Sequence, residues 1–152
     1  MANWLAKTEP DEFSLDDLEA RGKAGEPWNG IRNYQARNHL RTMVPGDRVL
    51  IYHSACAEPA VVGEAEVISE PYADPDALNP ESRYFDAKSS ADNQRWTVVK
   101  VAFRKRWPKP VPLKQIKQTP ELAEMPLLRQ SRLSVSPVSD EQWSVLQRLS
   151  AQ

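Results

Sequence analysis

The sequence predicts an α+β fold in which a mixed β-barrel carries flanking helices, and three observations lead there. The apolar runs that read as strands are short, helical segments fall between them without regular β-α-β alternation, and no internal repeat is present. At 152 residues, with 40% hydrophobic and 27% charged residues, the chain has the length and composition of one globular domain, residues 1–152, able to bury a core unaided.

The elements follow in order. Trp4-Leu5-Ala6 reads as an opening strand, left abruptly where Thr8-Glu9-Pro10 forces a turn, because proline fixes its own φ and restrains its predecessor. Ser14 is a good N-cap with Asp17 three residues on, and Leu15 and Leu18 mark a short helix ending near Gly22, followed by a polar loop to Pro27. Residues 33–43 lack Gly and Pro; Asn33 caps a second helix, Tyr34, Ala36, Leu40 and Met43 suit one face, and Pro45-Gly46 terminates it. Residues 47–53 and 60–68 are strands by β-branched content, and Gly63 marks a bulge or a close approach in the second. Residues 71–94, with three prolines and many acids, read as a long surface excursion of the kind that often borders binding sites. Residues 96–103 alternate as a strand, which Pro108, Pro110 and Pro112 are expected to end. Short helical pieces surround Pro120 and Pro126, residues 133–138 suit a last strand, and a Ser139 to Gln142 capping box opens a closing helix that turns Trp143, Leu146 and Leu149 inward.

Composition removes several functions. Cys56 is the only cysteine, so there is neither an internal disulfide nor a thiolate cluster for zinc or iron–sulfur binding, and a cytoplasmic setting is expected. The N-terminus lacks a basic region followed by an apolar stretch, and no apolar run reaches membrane-spanning length, so neither secretion nor a membrane partner is expected. Five scattered glycines form no phosphate loop, His39 and His53 have no metal-ligand spacing, and no serine stands in a nucleophile-elbow setting; the expectation is no cofactor, no metal and no enzyme. His53 and Ser54 are adjacent, but strand neighbours point to opposite faces.

Net charge is −1, yet it is segregated: residues 31–56 carry +3 and residues 95–133 carry +8, against −4 over residues 1–30 and −7 over residues 57–94. Folding can gather these blocks into a positive face or interleave them into a mixed surface. The run Arg104-Lys105-Arg106-Trp107 is equally open, as a nucleic-acid backbone contact or as a solvated strand end.

In Pro27-Trp28-Asn29-Gly30-Ile31-Arg32-Asn33-Tyr34 a tryptophan in a polar loop precedes amide and guanidinium groups at a helix start. An indole face can stack on a base, Asn29 or Asn33 can offer donor and acceptor to its edge, and a helix start favours phosphate. On residue types alone, a core tryptophan and a plain helix cap at Asn33 suit the stretch better. Ser54 can line a pocket mouth, and Lys7 and Ser131-Arg132 can meet phosphate, each a weak signal alone.

Together, the stretch from Trp4 to Pro10, the stretch from Trp28 to Asn38, and Gly46-Asp47-Arg48-Val49-Leu50-Ile51-Tyr52-His53-Ser54 resemble the EVE domain family in order and spacing, and Gly63, Trp96 and Ser131 to Val135 extend the match over nearly the whole chain. A non-catalytic monomer is expected, and the resemblance implies a PUA-like barrel with a pocket that accepts a modified base flipped from its strand, in DNA or RNA. The resemblance makes Trp28 a wall of the base pocket, Asn29, Asn33 and Ser54 edge-readers, Lys7, Arg32 and Arg132 phosphate contacts, and Tyr34 and His53 neighbours of the same pocket, with Ser131 beside Arg132 as a further phosphate candidate. A small-molecule or nucleotide-metabolite binding protein is the alternative.

Overall fold

A computed structural model describes Met1–Gln152. Eight strands and five α-helices run β1 (Asn3–Thr8), α1 (Leu15–Ala20), β2 (Glu26–Pro27), α2 (Tyr34–Thr42), β3 (Arg48–His53), β4 (Ala60–Val67), β5 (Tyr72–Ala73), β6 (Thr97–Val98), β7 (Lys100–Pro112), α3 (Leu113–Lys117), α4 (Pro126–Arg129), β8 (Val135–Pro137) and α5 (Asp140–Ala151). Six strands form one mixed sheet in the order β2-β7-β4-β3-β1-β8, in which β1 and β3 run parallel and every other pair antiparallel; β5 and β6 form a separate ribbon.

Strand alternation sorts the apolar residues onto two faces. Trp4, Ala6, Val49, Ile51, Ala65, Val67 and Val101 point to the concave side, where α1, the Trp28 loop and α2 cover them. Leu5, Leu50, Tyr52, Val61, Trp107 and Val111 point the other way, onto α3, α4 and Trp143 and Leu146 of α5. Val61 and Ala65 share parity yet face opposite cores, because Tyr52 pairs with Val61 while Ile51 pairs with Gly63, leaving Val62 as the extra residue of a bulge. The expectation at Gly63 is met: a Cβ there would lie 2.7 Å from the Lys105 carbonyl oxygen and 2.8 Å from Leu15 Cδ2. The edge strands β2 and β8 do not pair with each other, so the sheet curls into a half-barrel, and α2 packs against β8 and β6 along the open side.

Helix caps form as read. Ser14 and Asp17 close a reciprocal capping box on α1, Ser139 and Gln142 do so on α5, and Asn33 Oδ1 accepts from the Ala36 N–H at the start of α2. Three expectations need correction. Tyr34 does not join Ala36, Leu40 and Met43 in the core; it is exposed and stacks on Trp96 instead. The strand expected over residues 96–103 changes partner midway, because Thr97–Val98 pairs with β5 whereas Lys100 opens β7 beside β2 and β4. Pro108 and Pro110 do not end β7, which continues through both and stops only at Pro112. Residues 107–110 fall in the gap that the bulge opens opposite β4, and β2 covers only Val101 and Lys100 on the other edge, so a missing N–H at Pro108 or Pro110 breaks no ladder.

Charge interleaving prevails on β7. Arg104 pairs with Glu66, Lys105 with Glu64, and Arg106 with Asp16 and Glu19, while Trp107 is buried and donates its indole N–H to Glu64 at 2.7 Å. The densest basic run therefore offers no unbroken positive track.

Candidate nucleic-acid interface

A cavity of about 560 Å³ opens at the end of the concave face, where β1 and β3 finish side by side. Its base is built from Lys7, Thr8 and Ser54, and the Ser54 N–H donates to the Thr8 carbonyl at 3.0 Å. Lys7 Nζ donates to the Ser131 carbonyl at 2.8 Å, and burial holds its ammonium below the ordinary lysine value.

One wall is the Trp28 loop. The Trp28 N–H donates to the Val99 carbonyl at 2.8 Å, extending the β2–β7 ladder by one residue and fixing where the indole enters. The ring is largely buried among the concave-face residues but also lines the cavity, so core packing and pocket wall coexist in one side chain. Phe13 meets it edge-on, with centroids 6.1 Å apart and planes at 82°, and carries the Arg21 guanidinium 5.5 Å from its own ring.

The opposite wall comes from the 71–94 excursion, which is not free chain. Asp74, fully buried, accepts from the Gly30 N–H and from Arg32 Nη1, each at 3.0 Å, and from the Asp76 N–H. Arg32 also donates from Nε and Nη2 to the Tyr84 carbonyl, at 3.1 and 2.6 Å. Gly30 takes φ +75°, and a Cβ on it would stand 2.6 Å from the Tyr84 ring, so glycine is required for both its backbone and this contact. Arg83 reaches across to Glu12 through two bonds, at 3.0 and 2.9 Å, which holds the Glu12 carboxyl below its ordinary value.

Of the residues read from sequence, Lys7, Trp28, Asn29, Arg32 and Ser54 line this cavity. Asn29 and Arg32 have internal partners already: the Asn29 amide donates to Asp76, and Arg32 is tied to Asp74 and Tyr84. His53 lies behind the site, where its Nε2 accepts from the Leu15 N–H at 3.1 Å; burial lowers its pKa, Asp16 opposes that shift and Arg106 adds to it. Asn33, Ser131 and Arg132 gather elsewhere, around a smaller hollow of about 250 Å³ with Gln35 and Gln130. Tyr34 stands on α2 outside both hollows, stacked on Trp96 with centroids 5.0 Å apart.

Phe13, Arg83 and Tyr84 line the cavity without having been read as site residues. Phe13 precedes the N-cap of α1 and carries only the signal of a capping apolar residue; Arg83 and Tyr84 sit in a stretch with no periodicity at all.

The chain is 33% identical over 159 residues to human thymocyte nuclear protein 1, with 93% of this chain and 71% of that protein covered. Among solved structures, a Pseudomonas putida protein is 46% identical, with 98% of this chain and 99% of that one covered and a TM-score of 0.94. The human THYN1 protein in complex with 5-methylcytosine containing DNA is 32% identical, with 100% and 99% covered and a TM-score of 0.95. An ASCH protein of Zymomonas mobilis, at 17% identity, 97% and 95% coverage and a TM-score of 0.58, shares the fold, which is PUA-like. The EVE domain model matches residues 2–149, and the chain belongs to the EVE domain family.

Proposed function

We propose that this protein is a non-catalytic reader that takes a modified base of a nucleic acid into the cavity beside Trp28. The observation that carries the reading is the cavity itself. Its volume of about 560 Å³ lies in the range of small-ligand sites, and its walls offer Trp28, Phe13 and Tyr84 as aromatic surface beside Lys7, Asn29 and Ser54 as polar groups. Aromatic surface suits a planar heterocycle, and a few convergent polar groups suit its edge. The human relative solved with 5-methylcytosine containing DNA supports a modified base in DNA as the first ligand to test.

In this reading Trp28 stacks on the base, Asn29 and Ser54 meet its edge, and Lys7 meets the flanking phosphate. Asn33 and Arg132 belong to contacts farther along the strand.

The test is a binding screen over modified and unmodified bases in DNA and RNA, with Trp28→Phe and Trp28→Ala alongside. One modified strand should be retained over its unmodified twin, by a ratio that Trp28→Phe largely keeps and Trp28→Ala removes. Equal preference by wild type and a folded Trp28→Ala protein would reject the assignment. Tight binding of a free nucleoside with no preference for a strand would favour a small-ligand protein instead.

A further inference from the structure

A second surface begins where the cavity ends. Arg32, Arg83 and Tyr84 line both the main cavity and a shallower hollow of about 360 Å³ that also takes in Lys88, Arg95 and Trp96, so the two adjoin across these three residues. Beyond it, α2 presents Arg37 and Arg41 four residues apart on one flank.

The guanidiniums here are arranged differently from those on β7. Arg104, Lys105 and Arg106 each meet a carboxylate. Arg37 instead donates to the Arg95 carbonyl and the Asn38 amide, and Arg41 to Thr97 Oγ1 and the carbonyls of Gln94 and Arg95, so both are positioned by neutral acceptors that leave their charge uncompensated. Burial lowers the Arg41 pKa and the positive charge of Arg37 lowers it further, as expected of like charges crowded together. The Tyr34–Trp96 stack carries the neighbouring guanidiniums: Arg37 sits 4.7 Å from the Tyr34 centroid, Arg95 5.6 Å from it, and Arg32 5.4 Å from the Trp96 centroid, whereas Arg41 is held beside the stack by Thr97. The hollow contains one carboxylate, Asp86, which accepts the Trp96 indole N–H and pairs with Arg95 at 3.6 Å.

We infer that Arg37 and Arg95 on the Tyr34–Trp96 stack, with Arg41 held beside them by Thr97, form a phosphate track for the DNA strand that enters the cavity beside Trp28. This rests on the cavity reading and extends it by naming where the flanking backbone runs. Arg37 and Arg41 have no carboxylate partner, and Arg95 has Asp86 alone, at 3.6 Å; preorganised guanidiniums of this kind exchange condensed counterions for phosphates, and their contribution is read as salt dependence. A chain of net charge −1 thereby gains a local positive route of its own.

The experiment titrates a duplex with one central 5-methylcytosine, its unmethylated twin and the RNA of the same sequence across a salt series. The proteins are wild type, R37Q/R41Q/R95Q, R37K/R41K/R95K and Trp28→Ala, each with its melting temperature recorded. Loss of three phosphate contacts should make the slope of log Kobs against log salt shallower by about 2 to 3 in the Gln variant. That variant should weaken binding to methylated and unmethylated DNA alike and keep their ratio, whereas Trp28→Ala should keep the slope and lose the ratio. The Lys variant preserves charge and should retain most of the slope, which separates loss of charge from loss of fold.

A folded Gln variant with the wild-type slope overturns the track. A shallower slope in a system where wild type never distinguished the two duplexes overturns the cavity reading for 5-methylcytosine and leaves the track standing. Wild type bound to neither duplex overturns both, and a slope change confined to the RNA overturns the assignment to DNA.

Discussion

His53 shows how far one side chain can be read. Its place at the end of β3, beside Ser54, invited a catalytic reading that strand geometry already disfavoured. In the fold its Nε2 is the acceptor for the first N–H of α1, a role that only the neutral ring can perform. Because burial lowers its pKa, the unfolded chain binds the proton first as pH falls, so the stability it contributes is present above the ordinary imidazole pKa of about 6.5 and is lost below it. The expected outcome is that wild type loses more melting temperature between pH 7.5 and pH 5 than His53→Gln, whose amide oxygen can accept the same N–H at either pH. Parallel melting curves for the two proteins would remove His53 from that role.

At the scale of elements, the bulge in β4 decides which core each half of the strand serves. Gly63 lies where the Lys105 carbonyl and the Leu15 side chain close in together, so Gly63→Ala forces either β7 or α1 to move. Overpacking of this kind costs about 1–3 kcal/mol, and denaturant titration should report a lowered midpoint with an unchanged slope. The glycine and its close approach were legible in the sequence, as were the caps at Ser14, Asn33 and Ser139, since each depends on a few neighbouring residues. The passage of β7 through Pro108 and Pro110 was not, because whether a proline harms a strand depends on which edge lies open, and only tertiary pairing decides that.

At the scale of the whole molecule the six-stranded sheet carries a core on each face, and Trp4 and Trp28 report on one core while Trp107 and Trp143 report on the other. Every central strand contributes to both cores, so neither can melt alone. Leu146→Ala, on the face away from the cavity, should cost about 2–5 kcal/mol and shift fluorescence and far-UV circular dichroism together in one transition; separate midpoints would show two units. The same two-sidedness explains what the sequence withheld about the site. Trp28, Asn29, Lys7 and Ser54 were identifiable because they sit inside motifs, but the partners that complete the cavity, Arg83 and Tyr84, come from a stretch without periodicity, and the arginines around Trp96 acquire their arrangement only when that stretch packs beside α2.

The cavity's two sides differ in how they are anchored. Lys7, Thr8 and Ser54 stand at the ends of hydrogen-bonded strands, whereas Tyr84 and Arg83 are held by side-chain contacts to Arg32, Gly30 and Glu12. Changes at residues 79–88 therefore reshape the aperture without disturbing a ladder. In engineering terms the scaffold separates a constant socket from an exchangeable face, and a library confined to those residues is the economical route to a reshaped cavity on an unaltered barrel.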